Sequence, residues 1–143
     1  METDTDKIQL AVFLQAPIVE VWKAWTEPDR IVKWFGSDPN GHVLKAVLNV
    51  CPGGFFEITF QDSDRTEHTC FGVYSVVSEF SSLTFSWNWK SEPGVESFVI
   101  VELKSENNFT RMLFRHEHLG KGSQHNYEEG WKSTFLKLER SLS

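Results

Sequence analysis

The sequence predicts an α+β fold in which helices cover one face of a curved, seven-stranded antiparallel sheet. Three observations predict it. One strand-like segment precedes two short helical segments, a long central region alternates apolar and polar residues with a period of two, and the chain closes with an amphipathic helical pattern. Helices that are segregated from an antiparallel sheet define this fold class. We expect the final long helix to lie across the concave face of the sheet.

The first strand is predicted over residues 7–15. Ile8, Leu10, Val12 and Leu14 share one parity there, so one face of this strand is expected to be buried.

Two short helices are predicted to follow. Pro17 suits the first turn of a helix, where its missing N–H costs nothing. Ile18, Trp22 and Trp25 then form one apolar helical face. Pro28 ends this helix and opens the second, whose apolar side consists of Ile31, Trp34 and Phe35. These helices either pack as ordinary parts of the core or act as a lid over a cavity.

Six further strands are predicted by the alternating region. They are expected at about 42–50, 55–61, 66–77, 83–90, 96–104 and 109–118. The clearest alternation is that of Leu83, Phe85, Trp87 and Trp89. Turns rich in Gly, Pro, Asn, Asp and Ser separate the segments, which is typical of an antiparallel meander.

The last helix is predicted over about 124–141. Tyr127, Trp131, Phe135 and Leu138 recur at helical spacing, and Ser123 is the expected N-cap.

Composition limits the classes of function. The 143 residues suit one domain spanning 1–143, with 1–6 as a flexible tail. The net charge of −6 without a Lys/Arg run argues against a nucleic-acid partner. No apolar run approaches the ~20 residues of a membrane span, and no secretory signal is visible, so a cytoplasmic location is expected. The two cysteines are expected to be buried or half-buried thiols.

A set of residues spread through the whole chain carries a family resemblance. These residues are Ala16-Pro17, Val21-Trp22, Thr26-Glu27-Pro28, Trp34-Phe35, Pro52-Gly53-Gly54-Phe55-Phe56, Gly72, Tyr74, Leu83-Thr84-Phe85-Ser86-Trp87, Thr110-Arg111, His116-Glu117, Glu129-Gly130-Trp131, Leu136 and Leu138. Their order and spacing resemble the START/Bet v 1-like (SRPBCC) superfamily. Within it, the closest resemblance is to the group named after the activator of the heat-shock-protein-ninety ATPase.

The resemblance implies a helix-grip fold with a space between the sheet and the final helix. It fixes neither ligand nor reaction, because such folds host several functions. Many relatives carry Asp-x-Arg before the Gly-Gly turn, where this chain has Asn49 and Cys51. A function that depends on that charged pair is not expected here.

Aromatic and apolar residues predicted to point inward are the candidate ligand pocket. They are Phe56, Ile58, Tyr74, Phe85, Trp87, Trp89, Val99, Met112, Phe114, His116, Tyr127, Trp131 and Phe135. Ligand pockets are mostly apolar with a few placed polar groups, which fits this set. The alternative is that the same rings simply fill the core.

His116 is the inward polar residue of this set. It is either a hydrogen-bonded core histidine or the polar contact of a ligand. His116 and His118 lie two apart on one strand, but the spacing brings no third ligand to them, so no metal site is predicted. We predict no catalytic residue and no cofactor, because neither paired inward carboxylates nor a nucleophile motif occurs.

Three functional hypotheses follow. The first is a non-catalytic protein that binds a hydrophobic or aromatic small molecule. The second is a cyclase- or hydrolase-like enzyme that acts on such a ligand, with His116 or Tyr127 as proton donor. The third, suggested by the family's name, is a stress-response interaction module with a chaperone as partner. The sequence leaves a homodimer open.

Overall fold

A computed structural model describes residues 7–119 and 126–142, which form ten elements. In chain order these are β1 (Ile8–Leu14), α1 (Ile18–Thr26), α2 (Pro28–Ile31), β2 (His42–Leu48), β3 (Phe55–Gln61), β4 (Glu67–Ser78), β5 (Ser82–Trp89), β6 (Glu96–Glu106), β7 (Phe109–Glu117) and α3 (Tyr127–Leu142). The strands form one curved antiparallel sheet in the order β1-β7-β6-β5-β4-β3-β2. The predicted α+β helix-grip fold is therefore confirmed.

The period-two pattern decides which face of the sheet meets the helices. Along β5, residues alternate strictly between buried and partly exposed, and Leu83, Phe85, Trp87 and Trp89 are the buried set. The same alternation on β3, β6 and β7 places their apolar side chains on the same face. Because successive side chains of a strand point to opposite faces, the concave face becomes continuous and apolar.

The long helix α3 supplies the opposite wall of the core. Trp131, Thr134, Phe135 and Leu138 are its buried residues. They recur at spacings of three and four, so they form one stripe along the helix. The ring of Trp131 lies with its centroid 4.5 Å from that of Phe114 on β7, which brings α3 directly onto the sheet.

The helices α1 and α2 pack as parts of the core. The helix α2 ends at Ile31, so Trp34 and Phe35 follow it in a turn instead of lying on its predicted apolar side. Trp25 of α1 and Trp34 are almost fully buried, with ring centroids 4.9 Å apart. The indole N–H of Trp34 donates to the carbonyl of Ala24, and that of Trp25 donates to the sulfur of Met112. Ordinary packing, rather than a lid, therefore describes these two tryptophans.

Some element ends differ from the predictions. Pro17 is the N-cap of α1 instead of a residue in its first turn. The helix α3 begins at Tyr127, and the side chain of Asn126 accepts a hydrogen bond of 3.3 Å from the N–H of Glu129. Asn126 thus has the capping role expected of Ser123. Ser123 and the proposed tail 1–6 lie outside the described residues.

The thiols also differ in part from expectation. Both cysteines are free, but Cys51 is exposed and Cys70 alone is buried. Cys51 lies in the tight turn between β2 and β3, where the chain is at the surface.

Close approach of β4 and β5 explains the glycine at position 72. A Cβ added there would overlap the backbone carbonyl of Ser86. In the observed arrangement the Ser86 hydroxyl accepts a 2.9 Å hydrogen bond from the N–H of Val73. Any side chain at Gly72 would have to separate the two strands.

We expect Gly72→Ala to lower the free energy of unfolding by about 1–3 kcal/mol, because the added methyl group overpacks this contact. Urea denaturation would measure the loss. Gly130→Ala is the matched control. Its Cβ would lie 3.5 Å from that of Ser37, an ordinary contact, and alanine favours a helix by roughly 0.5–1 kcal/mol over glycine. Equal unfolding free energies for Gly72→Ala and the wild type would contradict this account of the strand contact.

Candidate functional site

A cavity of about 120 Å³ lies between the first turns of α3 and the inner face of β3, β4 and β5. The loop that follows α2 closes one side. The lining residues are Phe35, Gly36, Ser37, Phe60, His68, Trp87, Trp89, Asn126, Tyr127, Gly130, Trp131 and Thr134. Most of this wall is aromatic, and the polar groups are few.

Two tryptophans of β5 form the floor of the cavity. Trp87 and Trp89 point the same way because they are two residues apart, and their rings meet edge to face with centroids 5.1 Å apart. The indole N–H of Trp89 donates a 2.8 Å hydrogen bond to the hydroxyl of Tyr127. This bond ties the first turn of α3 to the sheet at the cavity wall.

The loop after α2 is held against both the sheet and α3. Gly36 has a φ of +110°, and a Cβ there would lie 3.1 Å from the ring of Phe60. Glycine therefore lets the chain turn close to the cavity wall. The hydroxyl of Ser133 donates to the carbonyl of Ser37 at 2.6 Å, and the ammonium of Lys137 donates to that of Asp38 at 2.8 Å.

One imidazole forms a polar part of the cavity wall. The Nε2 of His68 lies 2.8 Å from Oδ2 of Asp62. A carboxylate only accepts hydrogen bonds, so Nε2 carries the proton and donates. The Nδ1 of His68 has no bonding partner among residues 7–119 and 126–142.

Two buried polar atoms next to this region also lack partners within the described parts of the chain. They are Nε1 of Trp87 and Oδ1 of Asp62. An unpaired buried polar atom typically costs about 1–3 kcal/mol, so such atoms are rare and informative. Both belong to side chains at or beside the cavity.

His116, in contrast, has partners on both ring nitrogens. The indole N–H of Trp131 donates to its Nδ1 at 3.0 Å. Nε2 must then carry the proton of the neutral ring, and it donates to the Ser97 hydroxyl at 2.7 Å. Ser97 in turn donates to the carbonyl of Trp87 at 3.3 Å. This chain of hydrogen bonds links α3 to β5, β6 and β7.

Burial keeps the ionisable groups of the core neutral. Loss of hydration lowers the pKa of His116 from 6.5 to about 3, because the imidazolium form would lose its solvent. The same cause raises the pKa of the Cys70 thiol and of the Tyr74 phenol above their ordinary values. These three buried side chains are therefore neutral at neutral pH.

The structure separates the predicted pocket residues into three groups. Trp87, Trp89, Tyr127 and Trp131 line the cavity. A second, nearly closed space of about 10 Å³ is bordered by Phe56, Ile58, Tyr74 and Phe85. The remaining residues, Val99, Met112, Phe114, His116 and Phe135, are buried away from both spaces. As ligand contacts, all of these residues remain predictions.

The predicted pocket left out several residues that line the cavity. His68 is the main one. It shares its parity on β4 with Cys70 and Tyr74, so an inward orientation was readable from the alternation. Phe60 and Thr134 were also predicted to point inward, but the candidate pocket did not include them. Ser37 and Asn126 lie in loops, where no periodicity indicates direction.

Neither a metal centre nor a membrane-spanning helix is found among the described residues. No group of three or more His, Cys, Asp or Glu side chains is placed to hold a metal ion. No helix within the described ranges has the length and apolar character needed to cross a bilayer.

A protein-family model decides the family. Residues 15–143 match the model for "Activator of Hsp90 ATPase homolog 1-like protein". The chain belongs to this family. The match covers nearly the whole chain and agrees with the resemblance of the motifs to the START/Bet v 1-like superfamily. No curated protein matches the chain.

Solved structures share the fold of this family member at low identity. Protein NE0264 from Nitrosomonas europaea is 23% identical with a TM-score of 0.82, and the match covers 99% of this chain and 97% of that one. Protein CV1439 from Chromobacterium violaceum is 17% identical with a TM-score of 0.84, covering 96% of each chain. An AHSA1-like protein from Aeromonas hydrophila is 19% identical with a TM-score of 0.77, covering 94% and 91%.

We expect the buried neutral state of His116 to make the protein less stable in acid. The folded pKa of about 3 lies below the ordinary 6.5, so the unfolded chain binds the extra proton first as the pH falls. The contribution is fully present above pH 6.5 and is lost between there and pH 3, at up to about 1.4 kcal/mol per pH unit.

Urea denaturation of the wild type and His116→Gln from pH 7.5 to pH 4 would measure this. The advantage of the wild type should shrink steadily as the pH falls. His42→Gln, which removes an exposed histidine from β2, is the matched control for loss of a histidine outside the core. Parallel curves for the wild type and His116→Gln would show that His116 does not titrate in this way.

Proposed function

We propose that this protein binds a small, flat aromatic molecule in the cavity between α3 and strands β3 to β5, and performs no chemistry on it. The observation that carries the proposal is the cavity itself, with about 120 Å³ of space and walls formed mainly by aromatic rings. Protein interiors are close-packed, so a space of this size beside a well-filled core supports a binding role.

The cavity volume favours a ligand with a single ring. Pockets for drug-sized ligands usually enclose about 300–1,000 Å³, whereas a dry apolar cavity of about 150 Å³ accepts benzene. The space of about 120 Å³ is close to the second case. A fatty acid or other lipid chain exceeds it, so the ligand class is narrower than the hydrophobic molecules expected from the sequence.

The geometry of the walls suits a flat ring. Aromatic pairs prefer edge-to-face or offset arrangements with centroids about 4.5–7 Å apart. Trp87 and Trp89 already meet edge to face, as do Phe35 and Trp131 at 6.2 Å. A flat ligand ring that packs against these four side chains would make further edge-to-face contacts. The unpaired N–H of Trp87 adds a donor for any ligand that reaches it with an acceptor.

An enzyme that uses His116 as its proton donor has less support. That imidazole is fully buried, and both of its nitrogens bond to protein groups. Tyr127 is at the cavity wall, but its hydroxyl accepts from Trp89. A chaperone partner rests on the family relationship alone.

We expect toluene to bind saturably and the lipid-like probe laurate not to bind. Saturation-transfer NMR, together with quenching of tryptophan fluorescence, would measure both. Gly130→Leu should weaken toluene binding at least about tenfold, which corresponds to 1.4 kcal/mol, because the new side chain extends from the cavity wall. Glu129→Leu, on the exposed side of the same helix, is the matched control and should bind as the wild type does.

Absence of saturable toluene binding to the folded wild-type protein would overturn the proposed function. Equal binding by the wild type and Gly130→Leu would show that the ligand lies elsewhere.

A further inference from the structure

We propose that His68 is the specificity-determining residue of this cavity, and that it selects single-ring ligands that carry a hydroxyl group. Asp62 is its positioning residue. The inference rests on the proposed function, since it names the ligand class that the same cavity would take. It adds a polar contact that neither the sequence motifs nor the family match assigns.

The hydrogen bond to Asp62 selects the tautomer of His68. Its Nε2 donates to Oδ2 of Asp62 at 2.8 Å, because the carboxylate has no proton to give. In the neutral ring, Nδ1 then has a lone pair and no proton. With Nε2 occupied, Nδ1 is the ring nitrogen left to accept a hydrogen bond from a molecule in the cavity.

Neighbouring aromatic rings hold the imidazole of His68 in place. His68 lies opposite Phe60 in the β3–β4 pairing, and the two ring centroids are 5.3 Å apart. The ring of Trp89 has its centroid 6.1 Å from that of His68. The three rings belong to neighbouring strands and all contribute to the cavity wall. A fixed acceptor loses little conformational entropy when a ligand binds.

Backbone hydrogen bonds of a turn place Asp62 beside His68. Asp62 opens the turn that joins β3 to β4, where its N–H donates to the carbonyl of Thr66 at 2.8 Å. The carbonyl of Asp62 accepts from the N–H of Arg65, also at 2.8 Å. The turn therefore holds the carboxylate beside His68 through the backbone on both sides.

A positive charge lies close to the pair. Lys137 reaches this region from α3, and its positive charge interacts with both Asp38 and Asp62. Its ammonium donates to the backbone carbonyl of Asp38 at 2.8 Å. An anionic Asp62 polarises the Nε2–H of His68, which makes Nδ1 a stronger acceptor, because hydrogen bonds in a chain reinforce one another.

These features define the chemistry of the ligand. A hydroxyl on the ring donates to Nδ1, whereas a methyl group in its place cannot satisfy that lone pair. A ring carboxylate is disfavoured, because it has no proton for Nδ1 and adds a second negative charge close to Asp62. Phenol and toluene have nearly the same shape and differ in whether the ring carries a hydroxyl or a methyl group.

Binding of phenol and toluene to the wild type and His68→Leu would test the proposal. We expect His68→Leu to weaken phenol binding about fivefold to tenfold, the size of one hydrogen bond, and to leave toluene binding unchanged or tighter. His42→Leu, on the exposed face of β2, is the matched control and should keep the preference of the wild type.

A second measurement needs no variant. The ¹⁵N resonances of the His68 imidazole report which nitrogen carries the proton. At pH 8.5, where an ordinary imidazole is neutral, we expect a protonated Nε2 and an unprotonated Nδ1 in the free protein, and a shift of the Nδ1 resonance when phenol is added but not when toluene is added.

The outcomes separate the two proposals. If toluene and phenol both bind but His68→Leu reduces them equally, or the Nδ1 resonance does not respond to phenol, the role of His68 is overturned and the aromatic cavity stands. If neither probe binds the folded wild type, the proposed function fails and the role of His68 fails with it.

Discussion

Contact between the aromatic stripe of α3 and the inner face of the sheet is the constraint on which the rest of the molecule depends. Trp131 meets Phe114 at 4.5 Å and Trp87 at 5.4 Å, and Phe135 meets Phe114 at 5.0 Å. Large rings at these distances leave no room between helix and sheet along the middle of the grip. The cavity lies at the first turns of α3, beyond the last of these contacts.

Two histidines on the same inner face show how packing distributes polarity. His116 lies on β7 under α3, where Trp131 and Ser97 satisfy both of its nitrogens. His68 lies on β4 beside the cavity, where one nitrogen bonds to Asp62 and the other faces no protein partner in the described chain. Full burial makes the first histidine part of the architecture. Partial burial leaves the second one with a bonding capacity that only another molecule can use.

The family relationship accounts for the fold better than for the identity of the residues that line the cavity. Structures that are 17–23% identical to this chain keep its fold with TM-scores of 0.77–0.84. Apolar cores tolerate extensive hydrophobic substitution when volume and pattern are kept, so a fold can persist at such low identities. Binding depends on the identity of a few wall residues, and function in such superfolds has to be sought there. In this chain the polar pair near the cavity is His68 with Asp62.

The sequence by itself determined the order of the elements, the strand parity and the apolar face of α3. These follow from short-range periodicity, which a single chain displays directly, as in Leu83, Phe85, Trp87 and Trp89. The ends of elements were less well determined. The cap of α3 is Asn126 because local hydrogen bonding, and not periodicity, decides where a helix begins.

Only the tertiary structure decided which inward rings close the core and which border a space. Parity states the direction of a side chain but not its distance from the rings of a facing element. It therefore grouped Phe114 with Trp89, although the first is packed under α3 and the second lines the cavity. The pairing of His68 with Asp62 was equally hidden. This pair joins a strand to the adjoining turn. Its role in binding depends on the cavity, which α3 and the loop after α2 complete.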